Sequence, residues 1–321
     1  MRLSTSMIYD QQTRSISSNQ QNWLKVGAQL ASGKSVVNPS DDPVAAAQAV
    51  VVGQAQAQSA QYKTARIFAT QNVSTEETNL GLVTGVIQEA QTTIVASSTG
   101  TLSDDDRASY ATQLEGLRDQ LLNIANGTNG NGSYIFAGYQ SDSPPFSTDA
   151  SGNVSYNGGT QPISQKVDAS RTMVTSHTGN QIFMSFTSNA VKEPDGSDGE
   201  SNIFTTLNNA IASLKTPLAN ADDATKDAAA ATMDKTSRGL KNSLNNVLTV
   251  RAEAGTQLAE LASLDLKAGD TDLNLSDQMS ALVDADPVSA ISSYTMQQAA
   301  LQASYTVFSQ MSKLSLFAMN A

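Results

Sequence analysis

The stretch that decides the fold is residues 9–30, which read YDQQTRSISSNQQNWLKVGAQL. Its large apolar residues recur every seven positions, at Tyr9, Ile16, Trp23 and Leu30. A slightly underwound helix keeps such a stripe on one side, where a second helix packs against it. The stretch therefore predicts a long helix that pairs with another helix.

The C-terminal stretch carries a second stripe of this kind. It follows the helix-opening pair Asp286-Pro287, and its apolar residues fall mostly at spacings of three and four. We predict that the two ends form an antiparallel helical pair and that both stripes are seams for assembly. The second stripe comprises Ile291, Tyr294, Leu301, Tyr305, Phe308 and Leu314.

The two terminal helices could instead pack on their own domain, but such a pair alone is marginal. Burying its large side chains yields roughly 15–25 kcal/mol at best, while ordering the backbone costs on the order of 1–2 kcal/mol per residue. A tube of many pairs buries each helix on several sides. We therefore expect residues 1–40 and about 280–321 to be unfolded in the free monomer and to order on assembly.

Composition and charge narrow the class of protein. A chain of 321 residues predicts two or three domains. The formal charges of residues 1–37 sum to +3 and those of residues 287–321 to +1. Residues 38–286 must therefore carry −15 to give the net charge of −11. Such a chain lacks the basic stripe that nucleic acid requires. We expect no membrane span and no cleaved signal, because neither a long apolar run nor an apolar segment after Met1 is present.

Capping signals mark the helices of the middle. Asp42-Pro43 predicts the start of a helix that runs toward Ser97, with or without a break near Asn72. Ser103 and the three aspartates that follow predict the next helix, which ends at Asn126-Gly127. After residue 200 the helices resume. Their apolar stripes are Ile203, Leu207, Ile211 and Leu214, and then Leu240, Leu244, Val247, Arg251, Ala254, Leu258 and Leu261.

Residues 133–199 change period and predict a β-rich insert. Short apolar runs alternate there with Gly, Asn, Ser and Asp turns, and we expect the runs to be strands. The runs are Tyr134–Phe136, Met173-Val174 and Ile182–Met184. The predicted fold is mainly α with a small β insert. It comprises a terminal helical pair (1–40 with 285–321), a nested helical bundle domain (41–132 with 200–284) and the insert as an outer domain.

Candidates for chemistry are few. His177 is the only histidine and there is no cysteine, so neither a catalytic triad nor an ordinary zinc site can be assembled. We interpret His177 as a surface loop residue and the clustered aspartates as helix caps. Arg251 interrupts an apolar stripe, and either its stem packs beneath a solvated head or it bonds backbone carbonyls. We predict no enzymatic activity, no cofactor and no metal.

Three segments carry a resemblance to a known family. Leu30–Lys34 with Asn38–Ala46 resembles the N-terminal signature of the bacterial flagellin superfamily, and Arg251–Gly255 resembles its returning helix. Gln297–Tyr305 resembles its closing helix. Gly132–Gly138 followed by Pro145-Phe146 is similar to the hook-associated proteins of the hook–filament junction, a branch of that superfamily.

The resemblance implies a structural part of the bacterial flagellum that adapts the hook to the filament. It implies paired termini lining an inner tube, a helical domain in the outer tube and an insert outside. The implied partners are copies of the chain in a ring or helical lattice, the first hook-associated junction protein, flagellin and an export chaperone. Export through the flagellar type III apparatus without cleavage is implied as well. A minor flagellin of the filament is the alternative.

Overall fold

The computed structural model describes residues 5–99, 102–150 and 152–319, with only the backbone at residues 5–6 and 312–319. In these ranges the chain is mainly helical, with two small antiparallel sheets, which confirms the predicted fold class. The helices are α1 (Thr5–Ser32), α2 (Pro43–Ser97), α3 (Asp104–Ala125), α4 (Gly179–Phe183), α5 (Ile203–Lys215), α6 (Asp223–Val283) and α7 (Pro287–Met319). The strands are β1 (Phe146–Thr148), β2 (Val154–Tyr156), β3 (Ile163–Asp168) and β4 (Arg171–Ser176).

The predicted capping residues begin the helices. A side-chain oxygen of Asp42 accepts hydrogen bonds from the backbone N–H groups of Val44 and Ala45, at 3.0 and 2.9 Å, at the start of α2. Ser103 and Asp106 form a reciprocal capping box at the start of α3. The same local chemistry opens α6 at Asp222 and α7 at Asp286. Asp104 instead accepts from the backbone of Leu218 and Ala219.

Helix α2 runs without the break that Asn72 suggested. Its buried face continues across this position, with Ala69 and Val73 before Leu80. The hydroxyls of Thr75 and Thr78 donate to backbone carbonyls four residues earlier, so these residues fit within the helix. A continuous buried face thus outweighs the weak helix preference of the Asn, Ser and Thr residues here.

The chain divides into two compact units. Unit 1 comprises Met1–Ala60 and Ala268–Ala321, of which the structure describes residues 5–60 and 268–319. Unit 2 comprises Gln61–Lys267 and contains the whole insert. The division falls inside α2 and α6, whereas the sequence placed it near residues 40 and 285. The insert belongs to unit 2 because its apolar side chains share the core of the helices.

An aromatic cluster joins the insert to the helices in unit 2. Phe183 contacts Phe136 and Phe146 edge to face, with ring centroids 5.5 and 5.4 Å apart. Phe146 and Phe183 both contact Phe204 of α5. Helix α5 packs antiparallel on α3, where Arg118 binds Asn208. This shared core confirms the buried stripe predicted for α5.

The insert holds two hairpins, β1–β2 and β3–β4. Met173-Val174 lies in β4 as predicted, but the prediction of a strand at Ile182–Met184 was wrong. Thr178 and Gln181 form a capping box there and open the short helix α4. Residues 134–136 form a turn, with a single bridge between Tyr134 and Thr128, rather than a strand. Short apolar runs do not distinguish strand from buried helix by period alone.

Candidate assembly surface

The terminal helices α1 and α7 pack against each other in unit 1. Near one end of the pair the ring centroids of Tyr9 and Phe308 lie 5.9 Å apart, edge to face. Toward the other end those of Trp23 and Tyr294 lie 5.7 Å apart. Because residue numbers rise along α1 as they fall along α7, the helices are antiparallel. The predicted pairing of the two ends is confirmed.

Most of the half-buried positions of this pair repeat at spacings of three and four. This is the heptad register of a coiled coil. We call these positions the terminal seam. On α1 they are Tyr9, Gln12, Ile16, Asn19, Trp23 and Val26, and on α7 they are Tyr294, Gln297, Leu301, Ser304, Phe308 and Met311. In the middle of the seam the side-chain amide of Asn19 donates to the Ser304 hydroxyl at 2.7 Å.

Most of the residues predicted from the two stripes lie in this seam, namely Tyr9, Ile16, Trp23, Tyr294, Leu301 and Phe308. Leu30, Ile291 and Tyr305 do not, and they expose 37%, 53% and 49% of their surface. The reason at Tyr305 is geometric, because successive helix positions are turned by about 100° and Ser304 occupies the seam. The side chain of Leu314 lies outside the described residues.

Sequence reasoning missed the polar members of the seam. Gln12, Asn19, Gln297 and Ser304 were passed over because only large apolar residues were counted. The signal was present, since stepping three and four residues from Trp23 or Leu301 reaches each of them. Register therefore locates the seam better than hydrophobicity does.

The side chains of unit 1 that the structure describes form no buried core. Every side chain described in residues 7–60 and 268–311 is half-buried or exposed. All the buried apolar residues among those described, from Ala69 to Leu261, belong to unit 2. A helical pair that buries no side chain fully has little to stabilise it in isolation.

Unit 1 also leaves large apolar side chains in contact with solvent. They occur on all four of its helical segments and on the connection after α1. They are Met7, Leu24, Leu30, Val37, Val44, Val50, Val51, Leu273, Val288, Ile291, Met296, Tyr305 and Val307. We call this set the exposed apolar set. Dense exposure of this kind marks surfaces that other protein covers.

The segment that follows α1 and the segment that precedes α7 are hydrogen-bonded to each other. The backbone N–H of Ser35 donates to the carbonyl of Val283 at 2.8 Å, and that of Ala285 donates to the carbonyl of Gly33 at 2.9 Å. Helix α1 ends at Ser32, just before Gly33, whose positive φ of 70° ends the helical geometry. These bonds hold the end of α1 at a fixed position beside the start of α7.

Asp41 adds an ionic tie at the same place. Its carboxylate accepts from the backbone N–H of Asn38 and lies 3.0 Å from the ammonium of Lys25. The backbone hydrogen bond from Asn38, followed by the hydrogen bond from Lys25, lowers the pKa of Asp41. The carboxylate therefore stays charged and keeps the loop after α1 folded back on that helix.

The lone histidine is not a surface residue, so that interpretation was wrong. His177 is 7% exposed and lies between the carboxylates of Glu76 on α2 and Glu253 on α6. Arg251 does not bond backbone carbonyls as one interpretation had it, because its guanidinium pairs with the side chain of Glu77 at 2.6 Å. Glu76 lies 101 residues from His177 and Glu77 lies 174 residues from Arg251 in the sequence, beyond the reach of local patterns.

The described residues contain neither a candidate membrane-spanning helix nor a metal-binding cluster. None of the helices there is long and apolar enough to cross a membrane. Nor do those residues contain a cluster of three or more His, Cys, Asp or Glu side chains arranged to hold a metal ion. The feature that stands out is the coreless helical unit 1.

Paired terminal helices joined to a helical unit with a small β insert define the flagellin class of assembly proteins. Residues 3–141 match the family described as the bacterial flagellin N-terminal helical region. The chain is 61% identical over 317 residues to flagellar hook-associated protein 3 of Escherichia coli, across 99% of both chains. It is 59% identical over 320 residues to flagellar hook-associated protein 3 of Salmonella typhimurium, across 100% of both.

Solved structures agree on the fold. FlgL of Xanthomonas campestris is similar with a TM-score of 0.62 at 18% identity, covering 71% of this chain and 99% of that one. The flagellar junction protein FlgL of Legionella pneumophila gives a TM-score of 0.61 at 18% identity, covering 74% and 100%. The chain belongs to the family of flagellar hook-associated protein 3. It is a structural component of the bacterial flagellum, associated with the hook.

Proposed function

We propose that this protein is the adaptor at the junction between hook and filament. In this role it assembles as a ring or helical lattice of copies and connects the first hook-associated junction protein to flagellin. The terminal helical pair (1–40 with 285–321) lines the inner tube and the helical bundle (41–132 with 200–284) forms the outer tube. The insert at residues 133–199 lies outside.

The observation that carries the proposal is the missing core of unit 1. Its terminal helices meet along the terminal seam, yet no described side chain of unit 1 is buried, and the exposed apolar set belongs to the same unit. Burying one large apolar side chain contributes about 1.5–3 kcal/mol. Contacts with neighbouring subunits on several sides supply the burial that the isolated pair lacks.

The exposed apolar set favours a lattice over a single partner. Its members lie on α1, on the first turns of α2, on the last third of α6 and on α7. One docked protein covers one face, whereas copies packed in a tube cover several faces at once. The terminal residues Leu30, Ile291 and Tyr305, which leave the intramolecular seam, join the assembly surface in this arrangement.

We further propose a route by which the chain reaches this place. It leaves the cell through the flagellar type III apparatus without cleavage, in the company of an export chaperone that covers apolar terminal residues. Its role is mechanical and needs no catalysis, cofactor or nucleic acid. The alternative of a minor flagellin is not favoured, since the relatives matched over the full chain are hook-associated proteins.

The first experiment is localisation in cells. Antibody labelling of a strain that carries a tagged chain should mark a single band at the hook–filament boundary. A deletion strain should show hooks without filaments and flagellin lost to the medium. Intact filaments in the deletion strain, or label along the whole filament, would overturn the proposal.

A matched pair of variants tests whether unit 1 carries the assembly. Leu24 on α1 and Leu82 on α2 are equally exposed, at 57% each, but Leu24 belongs to unit 1 and Leu82 to unit 2. We expect Leu24→Glu to abolish filament attachment when it replaces the wild type in cells. Leu82→Glu should leave more filaments than Leu24→Glu does. The reverse order would place the main assembly surface in unit 2.

A further inference from the structure

His177 stands at the point where the insert meets two long helices of unit 2. It follows β4 directly and precedes Thr178, the N-cap of α4. Its backbone is fixed on both sides, because the Ser176 hydroxyl donates to the carbonyl of Ile135 at 2.6 Å and the Gly179 N–H donates to that of Phe136 at 2.7 Å. The imidazole is therefore held in place by the fold.

Glu76 of α2 is the inner partner of this histidine. Its side chain is fully buried, and its Oε1 lies 3.0 Å from both the backbone nitrogen and the ring Nδ1 of His177. Its Oε2 has no hydrogen-bond partner among the described residues. A buried carboxylate is costly unless it is compensated, so Glu76 depends on His177 for both of its donors.

Glu253 of α6 is the outer partner. Its Oε2 lies 3.3 Å from the ring Nε2 of His177, and its side chain is 57% exposed. Water can solvate this carboxylate whenever the imidazole withdraws. The two contacts of the ring are therefore unequal, with one partner locked in the interior and the other at the surface.

The number of ring protons decides how many contacts the imidazole can make. A neutral imidazole carries one N–H group, whereas an imidazolium carries two and donates from both nitrogens. With one proton, the donor is needed at Nδ1, where Glu76 has no access to water. Nε2 then carries no proton, so it and the carboxylate oxygen of Glu253 face each other as two acceptors, which is unfavourable.

We infer that His177 is a proton-operated clamp that fastens the insert to α6 when the imidazole is charged and releases Glu253 when it is neutral. The tie to Glu76 on α2 persists in both states. The insert thus has a permanent attachment to one helix and a switchable attachment to the other. The switch changes how tightly the insert is held and leaves the fold intact.

The charges around the ring support the clamp. Burial lowers the pKa of His177, whereas the hydrogen bonds and charges of Glu76 and Glu253 raise it. The net effect is a pKa above the ordinary value of 6.5. The next charged residues on the two helices, Glu77 and Arg251, are paired with each other. Glu76 and Glu253 are therefore the groups that control the ring.

Other ties between the insert and α6 keep the released state folded. Asn246 donates to the carbonyls of Gln181 and Ile182 at 2.7 and 3.0 Å. Arg171 of β4 pairs with Glu260 of α6 at 2.5 Å. The Glu260 pair joins the same two elements through a guanidinium, which does not titrate below about pH 12. It therefore provides a matched control for the His177–Glu253 contact.

The test is an NMR titration of the full-length protein from pH 5 to pH 9. The chain has one histidine, so its ring signals need no assignment. We expect the titration midpoint to lie above 6.5 in the wild type and to move down in Glu253→Gln. It should stay in place in Glu260→Gln, and the ring nitrogen shifts at high pH should show the proton on Nδ1.

Hydrogen exchange gives the second measurement. Amide protection at residues 176–183 should decrease when the pH rises through the wild-type midpoint, after correction for intrinsic exchange, and Glu253→Gln should abolish this decrease. An unchanged midpoint in Glu253→Gln overturns the clamp, as does a neutral ring that carries its proton on Nε2. Glu253 is at the surface, so the variant tests the clamp without disturbing the core.

Discussion

Trp23 of α1 packs on Tyr294 of α7 with ring centroids 5.7 Å apart and planes inclined by 34°. Its indole Nε1 is buried but finds no hydrogen-bond partner within the described part of the chain. An unpaired buried N–H group costs about 1–3 kcal/mol of stability. The ring contact therefore contributes packing, but the unpaired indole N–H offsets part of that gain. The pair of terminal helices α1 and α7 is therefore less stable than its heptad register alone predicts.

Trp23 is the only tryptophan in the sequence, which makes it a specific probe of the terminal pair. In dilute monomer we expect red-shifted emission and ready quenching by iodide, because α1 and α7 bury no side chain fully and are unfolded outside the lattice. On assembly the emission should shift to the blue and quenching should decrease. Fluorescence of one sample before and after polymerisation measures both effects.

Limited proteolysis supplies the control for this prediction. Cleavage of the monomer should be confined to about residues 1–40 and 280–321, while unit 2 resists because it contains the buried core. Trp23→Phe should give the same cleavage pattern, which would show that the probe itself does not unfold the pair. A blue-shifted, unquenched tryptophan in the monomer would contradict the prediction.

We expect the hydrogen bond between Asn19 and Ser304 to fix the register of the terminal seam. A polar residue in a coiled-coil seam specifies alignment at a cost in stability. We therefore expect Asn19→Leu with Ser304→Leu to increase the helicity of the monomer measured by circular dichroism and to reduce incorporation into filaments. Asn22→Leu, at an exposed position of the same helix, should increase helicity less. Better incorporation of the double variant would refute the role in register.

Much of the helical fold could be predicted because its signals are local. Asp42-Pro43 and Ser103 begin helices through bonds to residues two or three positions away, so the sequence contains both partners. The heptad stripes likewise predict the pairing of α1 with α7, since the period is a property of each helix alone. Antiparallel pairing is then the simplest arrangement, because the predicted helices lead out to the insert and return from it.

What the sequence could not predict depends on distant partners. Glu76 lies 101 residues before His177, and no sequence pattern near the histidine indicates that its partner is a buried carboxylate. The same holds for Arg251, whose partner Glu77 lies 174 residues away. In the seam the difficulty was the opposite, because Gln12 and Ser304 are local but polar, and a search for apolar residues excludes them.

The aromatic cluster of unit 2 predicts that insert and helices unfold together. Phe183→Ala removes a ring that contacts the insert and α5, and such a truncation costs about 3–5 kcal/mol. We expect unit 2 of this variant to unfold in a single thermal transition with a lower midpoint. Circular dichroism at a helical wavelength measures this transition. Phe68→Ala, a matched truncation of a 56% exposed ring on α2, should leave the midpoint nearly unchanged. A separate insert transition would contradict the shared core.

The stability of unit 2 should depend on pH through His177. The pKa of His177 is raised above 6.5 in the folded protein, so folding takes up a proton between 6.5 and the folded value. The contribution of the charged imidazole is therefore complete below pH 6.5 and is lost as the pH rises through the folded pKa. Urea unfolding at a series of pH values should give a free energy that falls in this window, by at most about 1.4 kcal/mol per pH unit.

His177→Asn is the control for this dependence, because its amide can still donate toward Glu76 but does not titrate. The chain has no cysteine and no other histidine, so no other side chain has an ordinary pKa between 6 and 8. We expect the variant to have lower stability than the wild type at pH 6 and a nearly flat profile to pH 8. Since loss of the proton frees only the solvated Glu253, the two proteins should converge at high pH. A wild-type stability that rises between pH 6.5 and 8 would mean that the histidine is neutral in the folded protein and that its carboxylate neighbours do not charge it.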